Sequence, residues 1–120
     1  MPFNEEPIIE FICSNKRKPF KLKNNIKYIS SKGKEIIRVV KGFEFDGATI
    51  PKVLAPLAGC RHDEKYLKAA LIHDKLCVSR ELEWKRTHEL FKEVLIETGV
   101  NKFKANLLYT AILLGGPKWS

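Results

Sequence analysis

At 120 residues and 44% hydrophobic content the chain is sized for one domain around one core, and it is too apolar to be a disordered tail. It has no charged-then-apolar leader, and its longest apolar stretch, residues 107–114, is too short to span a bilayer, so a soluble protein is expected. A net charge of +8 favours an anionic partner over a cationic one.

The first 45 residues read as strands. Ile8 to Cys13 is apolar and β-branched. Phe20 to Lys23 and Ile26 to Ile29 alternate around the turn signal Asn24-Asn25. A second turn, residues 31–34, leads into Glu35 to Val40. This pattern predicts an antiparallel meander. The same stretch holds ten Lys/Arg against five Glu, densest at Lys16, Arg17 and Lys18, with Lys21 and Lys23 following. Such a surface suits an acidic protein, an anionic surface or nucleic acid. Nucleic acid is the weakest fit, because no aromatic residues interleave with the tract as they do in a stacking platform. A solubilising face, or sheet edges blunted against aggregation, would explain the same charges.

From Phe43 to Gly59 the chain carries Gly42, Gly47, Pro51, Pro56 and Gly59 in or beside it, and reads as a shaped loop containing Asp46-Gly47. Three helices are expected beyond it. The first is capped near Asp63, runs to about Val78 and carries Tyr66, Ala69, Ala70, His73, Leu76 and Cys77 on one stripe. The second runs from about Leu82 to Thr98, with Trp84, His88, Phe91, Val94 and Leu95 facing inward, and Gly99 ends it. Asn101 caps the third, whose apolar face is expected at Phe103, Leu107, Tyr109, Ala111 and Leu114, and Gly115-Gly116-Pro117 stops it. The expected organisation is one domain: a strand-rich basic part over 1–45, a Gly/Pro-shaped loop over 46–62 and a three-helix part over 63–116.

The link between the first two helices is short, so they should lie antiparallel. Folding about residue 80 sets His73 opposite His88, with Cys77 one turn beyond His73 on the same face and Asp74 at the edge. Three readings fit this cluster. In a catalytic reading His73 activates a water, while Asp74 and the loop near Asp46 bind a hard cation such as calcium. In a metal reading His73, Cys77 and His88 bind zinc, with Cys60, His62 or Asp74 as the fourth ligand. In the third, the histidines are packed in a core and satisfied by hydrogen bonds. Cys13, Cys60 and Cys77 make an odd count, which favours reduced thiols and an intracellular fold.

Several separated motifs appear in order: Phe43-x-x-Asp46-Gly47-Ala48-Thr49-Ile50-Pro51, Tyr66-Leu67-x-Ala69-Ala70-x-x-His73-Asp74-x-Leu76, Arg86 with Phe91, Gly99-Val100, and Gly115-Gly116-Pro117-x-Trp119. Over roughly residues 40–120 the chain resembles an uncharacterised family common in tailed phages and prophages, domain of unknown function 1353. The resemblance implies a phage or prophage origin and a host bacterial cytoplasmic setting, but no activity. More weakly, His73-Asp74 on a helix looks like the phospholipase A2 families. There the histidine activates water, the aspartate binds calcium, and an acid on the facing helix orients the imidazole. This chain departs from both patterns: it has Cys77 where the phage family usually has Tyr, and Thr87-His88 where that family usually has Ala-Asp.

The expected fold is α+β, an N-terminal antiparallel sheet of three or four strands followed by three helices packed on it. The leading functional expectation is a metal-assisted hydrolase of ester, lipid-like substrates, with His73 as base, Asp74 as ligand and His88 as ligand or orienter. Against it stands a non-enzymatic phage protein that binds a host factor, such as an inhibitor of antiviral defence, through its basic N-terminal part. A virion or tail-assembly component is the third expectation.

Overall fold

Alternation of buried and outward residues builds the strand region. A computed structural model of the chain describes residues 3–11, 20–30, 35–45, 64–116 and 118–119. Its strands are β1 (Ile9–Phe11), β2 (Phe20–Leu22), β3 (Ile26–Ile29), β4 (Ile36–Val39) and β5 (Glu44–Phe45). Its helices are α1 (Glu64–Ser79), α2 (Trp84–Glu97) and α3 (Lys102–Gly115). The α+β class and the order, antiparallel strands and then three helices, are as expected. The described residues fall into two compact units, Met1–Asp46 and Gly47–Ser120.

In the strand unit the expected meander is divided into two small sheets. One has the order β1-β2-β5 and the other pairs β3 with β4, all antiparallel. The division falls at Asn24-Asn25, which is not a hairpin turn between paired strands. These two side chains act as brackets. Asn24 Oδ1 accepts from the Ile8 amide at 2.9 Å, its Nδ2 donates to Glu6 O at 3.1 Å, and Asn25 Oδ1 accepts from the Lys41 amide at 2.8 Å. Strand β5 falls in the stretch expected to be loop. Gly42, at φ 96°, permits it: its amide donates to Leu22 O at 2.7 Å and turns Phe43 back onto β2. Phe20, Leu22 and Phe45 share the buried face of the first sheet, and Ile26, Tyr28, Ile37 and Val39 that of the second.

In the helical unit α1 is buried nearly all round between Ala69 and His73, while α2 buries Thr87, His88, Leu90, Phe91, Glu93, Val94 and Leu95. The end of α2 is a Schellman motif: Gly99, at φ 106°, donates to Ile96 O at 3.1 Å, and Val100 donates to Leu95 O at 2.9 Å. Asn101 caps α3 as expected, its Oδ1 accepting from the Lys104 amide at 3.0 Å. The inward face of α3 differs from the expected one. Ala105, Leu108 and Ile112 are buried, whereas Phe103 and Leu114 are 68% and 75% exposed. The helix is apolar on most sides, so hydropathy alone leaves its rotation undetermined, and it turns Ala105, Leu108 and Ile112 inward.

Candidate functional site

The short link Arg80–Glu83 makes α1 and α2 antiparallel neighbours and sets His73 against His88, as the spacing predicts. His73 Nε2 and His88 Nδ1 stand 2.8 Å apart, a hydrogen bond in which one imidazole donates and the other accepts. Both rings are sealed, His73 at 3% exposure and His88 at 0%. The edge of Phe91 packs on His73 with centroids 5.4 Å apart, and Trp84 and Trp119 pack on His88 at 5.7 and 6.5 Å.

Burial first, and the facing His88 second, push the His73 pKa down from 6.5 to about 3. Between the facing nitrogens a neutral pair supplies one N–H and one lone pair, which match. Protonating His73 would set a cation in an apolar packing beside a second imidazole. His73 is therefore neutral throughout the physiological range and a weak base. A water-activating histidine works best with a pKa near the working pH, whereas burial holds His73 well below it and leaves the residue 3% exposed.

Cys77 is half-buried, with Sγ 3.7 Å from His73 Nδ1 and 3.8 Å from Nε2. A thiol in line with the Nδ1 lone pair would be about 2 Å farther from Nε2 than from Nδ1. Near-equal distances place the sulfur off the lone-pair axis of either nitrogen. Cys77 thus packs against the imidazole and is not positioned to pass it a proton. Two imidazoles sharing a tetrahedral zinc would hold their nitrogens about 3.3 Å apart, each aimed at the metal. Here the nitrogens aim at each other. Among the described residues no three His, Cys, Asp or Glu side chains are grouped to hold a metal ion. Asp74 is half-buried at the edge of α1. Asp46, Cys60 and His62, the remaining expected ligands, lie outside the described residues.

Three features of the helical unit are faint in the sequence. Trp119, visible there only as part of the C-terminal motif, returns to the helix link: its Nε1–H donates to Leu82 O at 3.0 Å, and Arg80 Cζ lies 5.5 Å from its ring centroid. A cleft of about 520 Å³ opens over that link, walled by residues 80–85 and Trp119, and neither histidine lines it. Glu93, 7% exposed, pairs with Arg86 at 3.5 Å two turns away on α2, which gives the motif residue Arg86 a structural role.

The expected basic surface is redistributed. Lys16, Arg17 and Lys18 lie outside the described residues. Lys21 sits directly across from Glu10 on one side and Glu44 on the other, and Lys23 Nζ is 3.7 Å from Glu10, so that sheet face is charge-balanced. Among the described cations of the strand unit, Lys27, Arg38 and Lys41 have no carboxylate partner, and Lys27 and Arg38 lie directly opposite each other on β3 and β4. The period-2 pattern of those strands is the signal that singles them out.

The architecture is that of a small α+β protein whose helical unit is built around a buried histidine pair. The chain belongs to the family described as "Protein of unknown function (DUF1353)", whose model matches residues 20–112. Among curated proteins it is 40% identical over 74 residues to the uncharacterized protein y4iH of Sinorhizobium fredii, covering 62% of this chain and 31% of that one. It is 30% identical over 118 residues to the uncharacterized protein y4jT of the same organism, covering 98% and 35% respectively. The chain therefore spans about a third of the length of these relatives. No solved structure matches it significantly. The family match and these relatives lend no support to the phospholipase resemblance, and on the facing helix His88 stands where that resemblance places an orienting acid. No described helix is long and apolar enough to cross a membrane.

Proposed function

We propose that this protein is a non-enzymatic binding protein, with the His73–His88 pair serving the fold of the helical unit and the basic strand unit serving as the contact surface. The observation that carries this reading is the 2.8 Å bond between two sealed imidazoles, His73 being only 3% exposed. That geometry satisfies a core, whereas a hydrolase would need the ring open to water and substrate. The unbalanced cations of the strand unit supply the other half of the reading, since they favour an acidic partner. The phage and prophage setting implied by the family resemblance supports a bacterial host protein as that partner, such as a component of antiviral defence, met in the host cytoplasm.

The test is a turnover screen with ester and phospholipid substrates, in calcium, in zinc and in chelator, on the wild-type protein and His73→Gln. The expected result is no turnover that depends on His73. Turnover abolished by His73→Gln in a variant that keeps its fold would restore the hydrolase reading.

A further inference from the structure

The β3–β4 hairpin presents a face and an edge that no element among the described residues covers. Its inward residues are the core side chains Ile26, Tyr28, Ile37 and Val39. Its outward residues form two cross-strand rows: Lys27 opposite Arg38, and Ile29 opposite Ile36. Like charges directly opposed across a pair of strands destabilise it, and neither cation has an ion pair among the described residues. The isoleucines are 40% and 48% exposed. An isoleucine pair left in water beside an uncompensated pair of cations is poor design for a plain solvent face.

The edge is open on one side only. Lys27 directs both backbone groups away from β4, its amide donating to Asn4 Oδ1 at 2.6 Å and its carbonyl accepting from the Asn4 amide at 2.9 Å. The Ser30 amide donates to Glu35 O at 2.9 Å, which marks the 30–35 pair as hydrogen-bonded across the strands. By the alternation of antiparallel ladders, the 29–36 and 27–38 pairs are then the wide ones. The N–H and C=O groups of Ile36 and Arg38 therefore point outward from β4. Among the described residues, the β3 edge is covered by Asn4 and the β4 edge is left with unfilled ladder positions.

We propose that the β4 edge, together with the outward face of Lys27, Ile29, Ile36 and Arg38, docks an acidic segment of another protein by strand addition. This deepens the binding-protein reading and rests on it. The backbone of the incoming strand fills the Ile36 and Arg38 ladder positions. Its alternate side chains, about 6.6 Å apart, fall on the outward face. A carboxylate there reaches Arg38, with Lys27 beyond it on the same face, and an apolar side chain two residues away covers Ile36. Charge complementarity selects an acidic segment over a basic one. The open edge selects a polypeptide over nucleic acid, which has no backbone amides to pair. A second copy of this chain fits poorly, because pairing β4 with β4 would bring more cations onto the same face.

The test uses the full chain and a short synthetic peptide in which every second residue is alternately glutamate and valine, with threonine between. Amide NMR shifts and fluorescence anisotropy read the binding. The expected result is shifts centred on residues 27–29 and 36–38, a loss of at least tenfold in affinity with Arg38→Glu, and a comparable loss when the peptide is N-methylated along one edge. Equal binding of the N-methylated peptide would overturn strand addition. Binding of a thymidine oligonucleotide, but not the peptide, to the same residues would overturn the proposal in favour of nucleic acid, and concentration-dependent dimerisation through β4 would overturn it in favour of self-association. No peptide binding, together with no His73-dependent ester turnover, would overturn this docking site alone. Turnover that depends on His73 would instead overturn the reading beneath it.

Discussion

Lowering the pH from 7 to 4.5 should weaken the helical unit through His73 alone. Its pKa is pushed down to about 3 in the folded chain, against 6.5 for an ordinary histidine. The unfolded chain therefore binds a proton below pH 6.5 that the folded chain refuses until about pH 3. Stability from this group is complete above pH 6.5 and falls as the pH drops through that window. Each pH unit inside the window costs roughly 1 kcal/mol or a little more, so the change from pH 7 to 4.5 amounts to about 2–3 kcal/mol. For a small protein that loses about 1.25 kcal/mol per molar urea, the midpoint should fall by roughly 2 M. Urea unfolding followed by tryptophan fluorescence reads it directly, because Trp84 and Trp119 both pack on His88. Carboxylates also titrate in this range, so the decisive comparison is His73→Gln, whose stability should vary less steeply with pH by close to one proton. Parallel slopes for the two proteins would refute the argument from burial.

Other perturbations separate the packing claims. Leu108→Ala should cost about 2–4 kcal/mol in chemical denaturation and Phe103→Ala less than about 0.5, reversing what hydrophobicity alone would rank, because Leu108 is at 0% exposure and Phe103 at 68%. Gly99→Ala should lower stability by about 1–2 kcal/mol in thermal melts, since φ 106° in the Schellman turn disfavours any side chain. Trp119→Ala should cost about 1–3 kcal/mol and alter the near-ultraviolet circular dichroism, because the indole N–H is bound to Leu82 O and its ring covers His88.

The features legible in the amino-acid sequence are those that depend on period and spacing. The helices α1 and α2, the short link between them and the meeting of His73 with His88 all follow from a 3.6-residue repeat and an antiparallel turn. The strands β2, β3 and β4 follow from alternation. The features that are not legible depend on tertiary competition. The Asn24-Asn25 pair looks like a turn, yet its side chains bracket the chain passing between two sheets. The two residues of β5 are too few to carry a period, and only the return of Gly42 and Phe43 onto β2 creates the strand. Helix α3 has no polar face distinct enough to set its rotation. The chemistry of the histidines is underdetermined for a different reason. Spacing can bring two imidazoles together, but whether they face a cavity or each other depends on burial, and burial turns a candidate base into a hydrogen-bonded core pair. The basic surface shows the same limit. A count of lysines picks out Lys21 and Lys23, whereas the register neutralises them and leaves Lys27 and Arg38 unbalanced.

The most direct measurement is an NMR titration of the imidazole nitrogens of His73 and His88. His73 should stay neutral from pH 8 down to about 4.5, with its Nε2 in a stable hydrogen bond to His88 Nδ1. A His73 that titrates between pH 6 and 7, with a ring exchanging freely with water, would contradict the buried core pair and return it to the chemistry of a catalytic base.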